Sequence, residues 1–207
     1  MRRFALPILF VLTLAGCSGD ENKDVILPLV AGFDPGDSPT ADPVVFLLKS
    51  PADTVPSDDV VVVDVLLRSN VGTTFSAFTM EIHFDPGVIQ VGQVDLTATP
   101  LGDCTSSTGL HPICADNVNS STDPANDTGT LLIGVSAQSG GALANVVGLQ
   151  KLFTLRFVGA SVGTSDITFT QGAGSGDCEI LDAALADLGV TCHNGAPPNT
   201  AHVVVTR

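Results

Sequence analysis

Residues 76–91 read SAFTMEIHFDPGVIQV, and this stretch decides the fold class. Apolar residues from Phe78 to Phe84 alternate with Ala77, Thr79, Glu81 and His83, and an Asp-Pro-Gly turn follows. A period of two is typical of a strand with one face in the core and one face in water. The stretch therefore predicts a half-buried β-strand whose wet face is available for binding.

Four more stretches have the composition of short strands, and turn-forming Gly, Asn, Asp and Pro residues separate them. They are VVVVDVLL at 60–67, TLLIGVSA at 130–137, LFTLRFV at 152–158 and DITFT at 166–170. The only helical pattern is LDAALADLG at 181–189, which predicts one or two helical turns. The sequence thus predicts an all-β body.

Three pieces of the chain, taken in order, resemble a known family. They are FTMEIHFDPGVIQV at 78–91, GTLLIGVSAQSGGALANVVGLQKLFTLRF at 129–157 and VGTSDITFT at 162–170. Their order and spacing resemble those of the cohesin domain, the module that grips dockerins in cellulosomes, over about residues 43–175. The resemblance implies a jelly-roll β-sandwich of about nine strands in two packed antiparallel sheets. Its expected core contains Phe78, Met80, Ile82, Phe84, Ile133, Val135, Phe153, Leu155, Phe157, Ile167 and Phe169.

The resemblance also implies a binding surface. Cohesins bind through the sheet that contains the strands matching 77–84 and 165–170, which predicts a flat polar face for a protein partner. Its expected residues are Thr79, Glu81, His83, Asp166 and Thr168, joined by Ser136 and Gln138. Well-known cohesins carry Asn and Asp on the first of these strands, whereas this chain has Ala77 and Thr79, which weakens the case for orthodox dockerin binding and leaves a changed partner open.

The N-terminus has the pattern of an export signal. Arg2 and Arg3 precede an apolar run at 4–14, which is too short to span a bilayer. The run ends in Leu-Ala-Gly-Cys, which resembles the lipobox of bacterial lipoproteins, where the cysteine is acylated after cleavage. This predicts a signal peptide at 1–16, lipidation of Cys17 and, from Ser18, an outer-membrane location in the cell envelope. The alternative is an ordinary secretory signal with a chance cysteine.

Residues 17–42 are rich in Asp, Gly, Pro and Ser, which favours a solvated, flexible tether. The sandwich domain is then expected at 43–207. The alternative concerns the apolar patch at 25–30, which could dock on the sandwich or add an edge strand.

Removing Cys17 from the five cysteines leaves an even set, and four cysteines allow three pairings. We predict Cys104 with Cys114 and Cys178 with Cys192, because each pair is close in sequence and brackets a loop outside the strand pattern. A structural metal site is the alternative, but no Cys-x-x-Cys spacing occurs and an exported chain meets an oxidising compartment.

Charge argues against nucleic acid and anionic lipid as partners. The chain has 22 acidic and 8 basic residues, and its formal charge of −14 becomes −16 without residues 1–16, which carry two arginines and no acid. The only expected membrane contact is therefore the N-terminal lipid.

Signs of catalysis are weak. His83, His111, His193 and His202 lie on different elements, and the sequence has no Gly-x-Ser-x-Gly or phosphate-binding loop before a helix. Residues 115–129 collect Asp and Asn side chains of the kind that calcium prefers, but without an EF-hand register, so a solvated loop is the favoured interpretation. We expect no enzyme activity and no cofactor or metal of the chain's own, with any calcium on the partner.

Three hypotheses follow. The first is a lipid-anchored, cohesin-like receptor for a protein partner, such as a dockerin-bearing enzyme of polysaccharide degradation. The second is a carbohydrate-binding module, although the chain has no Trp and no Tyr to stack on sugar rings. The third is a structural envelope lipoprotein without a separable ligand, which an apolar edge strand could assemble.

Overall fold

The computed structural model describes residues 27–51, 59–118, 124–170 and 177–207. The predicted signal peptide, the lipidation residue Cys17 and the first part of the predicted tether lie outside these ranges. Within them the strands are β1 (Val30–Asp34), β2 (Val44–Lys49), β3 (Val60–Phe75), β4 (Ala77–His83), β5 (Ile89–Asp95), β6 (Ile113–Asp116), β7 (Thr130–Ser136), β8 (Ala144–Gly159), β9 (Gly163–Asp166), β10 (Thr168–Phe169), β11 (Glu179–Leu181), β12 (Thr191–Cys192) and β13 (His202–Thr206).

The strands form three sheets. The β3 sheet has the order β12-β2-β3-β8-β5, and the β4 sheet has the order β10-β4-β7-β6 with β11 also paired to β4. A smaller β13 sheet has the order β1-β13-β9. All these pairings are antiparallel except that of β12 with β2. The predicted all-β sandwich is confirmed, with more strands than the nine expected and with β3 and β8 longer than the stretches predicted for them.

The core lies between the inner faces of the β3 and β4 sheets. Strict alternation on β4 buries Phe78, Met80 and Ile82, and the facing residues Phe153, Leu155 and Phe157 of β8 are also buried. The rings of Phe78 and Phe153 stack at 5.9 Å between centroids, which is a favourable separation for an aromatic pair. Every residue that the sequence placed in the core is buried.

The segment predicted as a tether is partly folded. β1 pairs with β13 along its whole length, and Ala31 and Phe33 pack against the core. Arg68 holds the connection to β2 by donating hydrogen bonds from Nη2 to the carbonyl oxygens of Pro39 (2.9 Å) and Ala41 (2.8 Å). The prediction of a flexible tether is therefore wrong for residues 30–42, because alternating apolar residues and one arginine attach this stretch to the sandwich.

Helical structure is confined to α1 (Pro124–Thr128) in the described ranges, and no helix there is long and apolar enough to cross a membrane. The prediction of helical turns at 181–189 is wrong. Asp182 organises a tight loop instead, since its Oδ1 accepts the N–H groups of Ala184 (2.7 Å) and Ala186 (3.0 Å). Leu181 and Asp187 then form an isolated antiparallel bridge that closes the loop.

Both predicted disulfides are present. Cys104–Cys114 ties β6 to the loop that follows β5, and Cys178–Cys192 ties the residue before β11 to β12. Since β12 belongs to the β3 sheet and β11 to the β4 sheet, Cys178–Cys192 links the two layers of the sandwich, whereas Cys104–Cys114 fastens the β5–β6 connection to β6.

A candidate protein-binding face on the β4 sheet

The outward residues of the β4 sheet lie in rows across its strands. One row contains Leu181, Ala77, Ser136 and Ile113, from β11 to β6. The next contains Glu179, Thr79, Gly134 and Ala115. In the row after that, Glu81 lies opposite Leu132, and His83 lies opposite Thr130 at the end of β4.

The centre of this face is apolar, which differs from the polar face predicted from the sequence. Ile113 is 62 % exposed, Leu132 is 42 % exposed and Leu185, on the loop after β11, is 63 % exposed. Small residues lie between them, and an open hollow of about 300 Å³ is lined by Ala77, Thr79, Ile113, Gly134, Ser136 and Leu185, among others. We call this hollow the Gly134 groove. Its aliphatic side chains are exposed to solvent in the free protein.

Gly134 is one of the small residues that line the groove. A Cβ added at this residue would meet nothing within 4 Å, and its backbone is outside the left-handed region. The strand therefore does not need a glycine for its own conformation. Glycine inside a strand weakens it and often marks a close approach by another molecule.

His83 lies at the centre of a hydrogen-bonded cluster at the end of the face where β4 ends. Its Nε2 is 2.8 Å from Glu81 Oε1 and 2.7 Å from Thr170 Oγ1, and its Nδ1 is 3.3 Å from Thr130 Oγ1. Thr170 Oγ1 also donates to Glu81 Oε1 at 2.9 Å. The cluster connects β4, β7 and the residue after β10, so it fixes the geometry of this end of the face.

The predicted site residues fall into two groups. Thr79, Glu81, His83 and Thr168 lie together, and Asp166 joins them because it lines a shallow depression with His83 and Thr168. Asp166 belongs to β9, in the β13 sheet. Ser136 lies at the opposite end of β7, and Gln138 follows it in a turn closed by a hydrogen bond from Gly141 N–H to its carbonyl oxygen.

The sequence interpretation missed Ile113, Leu132, Gly134 and Leu185. Leu132 and Gly134 alternate with the core residues Ile133 and Val135. The sequence signal for an apolar surface was therefore Leu132, an apolar residue at an outward position. β6 was not predicted because its four residues show no clear alternation.

The face is also acidic. Glu81 and Glu179 lie in its outward rows, and Asp182 and Asp187 belong to the loop that borders it. The described lysines and arginines lie elsewhere: Lys49, Arg68, Lys151 and Arg156 are on the β3 sheet, and Arg207 follows β13. A partner that carries basic residues would therefore be favoured over an acidic one.

The Asp and Asn side chains of the 115–129 loop are used within the fold where the structure describes them. Asn117 Oδ1 accepts the Leu132 N–H at 2.8 Å, and Asn126 Oδ1 accepts the Val91 N–H at 2.7 Å. In the described ranges, no three His, Cys, Asp or Glu side chains are grouped to hold a metal ion.

Comparison with known proteins gives matches among solved structures. A chain of a type I cohesin–dockerin complex from Clostridium thermocellum is 14 % identical with a TM-score of 0.47, over 65 % of this chain and 84 % of that one. A type II cohesin domain from the cellulosome of Acetivibrio cellulolyticus is 17 % identical with a TM-score of 0.44, over 80 % and 95 %. This chain is similar to cohesins.

A chain of a type II cohesin–X-dockerin complex from Acetivibrio cellulolyticus is also similar, at 13 % identity and a TM-score of 0.46, over 72 % of this chain and 92 % of that one. No family model and no curated protein matches the sequence. At these identities and TM-scores, the function has to be argued from the surface of the chain itself.

Proposed function

We propose that this chain is a lipid-anchored module of the cell envelope that binds a protein partner through the outer face of the β4 sheet. The observation that carries the proposal is the Gly134 groove, an apolar hollow lined by Ile113 and Leu185, with the exposed Leu132 beside it on the same face. Exposed apolar patches with a polar rim are typical of protein interaction sites. The sequence resemblance to cohesins makes a dockerin the first partner to test.

The β4 face is less suited to stacking on sugar rings than to binding a protein side chain. The described phenylalanines of the sandwich are buried, apart from Phe33 and Phe46, which are half-buried. Phe33 packs against the core, and the Arg68 guanidinium carbon lies 5.9 Å from the centroid of the Phe46 ring. The β4 face therefore offers no aromatic platform among the described residues, whereas its aliphatic groove fits a protein side chain.

Lipid anchoring rests on the resemblance of Leu14-Ala15-Gly16-Cys17 to a lipobox. Metabolic labelling with a palmitate analogue would test it in a bacterial host that lipidates exported proteins. We expect label in the wild-type chain and none in Cys17→Ser.

Capture of dockerin-bearing proteins by the oxidised protein, with and without a calcium chelator, tests the binding function. The matched variants are Thr79→Arg with Glu81→Arg on the β4 face, and Gln90→Arg with Gln93→Arg at exposed positions of β5 in the β3 sheet. We expect capture by the wild type and by the β3-sheet variant, loss in the β4-face variant and loss on chelation. Equal capture by both variants would show that the β4 face is not the binding surface.

A further inference from the structure

The first strand begins beside the last residues of β8 and β13. Val30 of β1 lies opposite Thr206 of β13. A Cβ added at Gly159, the last residue of β8, would lie 3.6 Å from Leu29 Cβ, so Leu29 packs closely on this glycine. Residues 27–30 therefore join the sandwich at the ends of these two strands.

The turn after β4 lies at the same end of the sandwich. The Val88 carbonyl oxygen accepts the N–H of Ala160 at 2.8 Å and the N–H of Ser161 at 3.2 Å. A Cβ added at Gly163 would lie 3.1 Å from Val88 Cγ2. We call this part of the molecule the entry end, and it consists of residues 27–30, 85–88, 159–163 and 206–207.

The entry end exposes aliphatic side chains. Leu27, Val30 and Val162 are each about half exposed. β13 lies between β1 and β9, so two strand spacings, about 10 Å, separate the backbones of Val30 and Gly163. Exposed aliphatic residues that are scattered singly are ordinary, but a group of them at one place is typical of a contact with a protein or a membrane.

The proposed lipid anchor decides between these two occupants. Leu27 follows Cys17 by ten residues, and an extended chain spans at most about 3.3–3.6 Å per residue. A lipidated Cys17 would therefore keep Leu27 within roughly 35 Å of the bilayer surface. The entry end is the part of the sandwich attached to this short connection, so it meets the lipid at a high effective concentration.

Charge favours a neutral lipid surface over an anionic one. Asp85 and Arg207 belong to the entry end, and the exposed Asp59 adjoins it, since the Asp59 carbonyl oxygen accepts the Gly159 N–H at 2.7 Å. The chain as a whole is strongly acidic. An anionic surface would repel it, whereas zwitterionic headgroups leave the aliphatic contact unopposed.

Resting on the lipid anchoring proposed above, we propose that the entry end is a membrane-contact surface that lays Leu27, Val30 and Val162 on a zwitterionic lipid surface. This contact goes beyond the N-terminal lipid, which was the only membrane contact expected from the sequence. It also orients the domain. Ala77 begins β4 about 20 Å along the strand from His83, so the Gly134 groove lies at the end of the β4 sheet farther from the lipid.

The test uses the absence of tryptophan from the chain, because one introduced tryptophan then reports on one position. The lipidated protein is placed in phosphatidylcholine vesicles as Val162→Trp or as the matched control Leu149→Trp, an exposed residue of β8 about 30 Å from Gly159. Brominated phosphatidylcholine quenches a tryptophan that contacts acyl chains. We expect at least about a twofold loss of emission from Val162→Trp and little change from Leu149→Trp.

A second substitution tests the patch itself. Leu27→Asp, made in the Val162→Trp protein, should restore most of the quenched emission, whereas Val147→Asp, at an exposed position toward the start of β8, should not. Equal quenching of the two tryptophans, or quenching that Leu27→Asp leaves unchanged, would overturn the proposal. An unquenched Val162→Trp in a protein that is dimeric by light scattering would assign the patch to a second copy instead.

The palmitate labelling experiment separates this result from the proposed anchor. Label in the wild type together with an unquenched Val162→Trp would leave the anchor in place and remove the membrane-contact surface. No label at Cys17 and no quenching would remove both proposals. Capture of dockerin-bearing proteins through the β4 face is measured independently of either outcome.

Discussion

The side-chain amide of Asn126 pairs with the backbone of Val91 as a residue of a neighbouring strand would. Its Oδ1 accepts the Val91 N–H at 2.7 Å, and its Nδ2 donates to the Val91 carbonyl oxygen at 3.0 Å. Val91 precedes the register shift of β5, the edge strand of the β3 sheet. One residue of α1 thus covers part of an edge that could otherwise pair with another chain.

Asn126→Ala leaves both backbone groups of Val91 without this partner. We expect a loss of roughly 1–3 kcal/mol in the free energy of unfolding, because buried polar groups that lose their hydrogen bonds carry a desolvation cost. Urea denaturation measures this loss. Asn126→Asp keeps the acceptor and removes the donor, so its loss should be smaller, and equal stability of Asn126→Ala and the wild type would contradict the edge-covering role.

Replacing Gly134 should change stability and partner binding in opposite directions. Gly134→Ala should raise the free energy of unfolding by about 0.5–1 kcal/mol, since glycine is costly inside a strand and the new Cβ meets no atom. The same change partly fills the groove and should weaken partner binding. Thermal unfolding and the capture of dockerin-bearing proteins measure the two effects.

Gly129→Ala is the matched control for that experiment. Gly129 has φ of +71°, and a Cβ there would clash with the Phe84 carbonyl oxygen, so this variant should be destabilised. A Gly134→Ala protein that loses stability as Gly129→Ala does would show that Gly134 serves the fold.

Removing either disulfide should lower stability and loosen one wall of the groove. The loops have sequence separations of 10 and 14 residues, for which the chain-entropy model gives about 3 kcal/mol each. Cys178→Ser with Cys192→Ser should also weaken the capture of dockerin-bearing proteins at a temperature where the variant remains folded. A variant that unfolds more easily but binds as the wild type does would assign the disulfide to stability alone.

Asp95 predicts a pH dependence of stability. The Thr97 hydroxyl donates to Asp95 Oδ1 at 2.7 Å and the Thr97 N–H donates to the same oxygen at 3.0 Å, which together lower the pKa of Asp95 below 3.8. A carboxyl with a lower pKa in the folded state stabilises the fold above its unfolded pKa, and this contribution disappears as pH falls through the folded pKa.

Thr97→Val removes the hydroxyl donor. We expect the variant to be less stable than the wild type at pH 7, with a difference that shrinks as pH falls below 3.8, the ordinary value for this carboxyl. Denaturation across this range measures the trend. Asp95→Asn with Thr97→Val controls for packing, and it should show no such pH trend relative to Asp95→Asn.

The sequence predicted the elements that local pattern determines. Strict alternation on β4 gave the correct inward face from Phe78 to Phe84, and nearness in sequence gave both disulfide pairs. The loop at 181–189 was predicted as helix because its leucines and alanines favour helix, but the Asp182 side chain competes for the backbone N–H groups that a helical turn would use.

Contacts between distant residues could not be predicted in this way. β1 depends on pairing with β13, about 170 residues away, and the 35–43 connection depends on Arg68. The Gly134 groove likewise combines Ile113, Gly134 and Leu185 from three separate parts of the chain. Local alternation shows that Leu132 points outward, but only the strand order shows which exposed residues become its neighbours.

The separation of charge between the two sheets has a kinetic consequence. Four of the described basic residues lie on the β3 sheet, and the β4 face carries acids without a lysine or arginine. Such a distribution gives the molecule a dipole that turns the acidic face toward an approaching cationic protein before contact. Association would then be fast at low ionic strength and slow with added salt, while the dissociation rate, set by the aliphatic contacts, would change little.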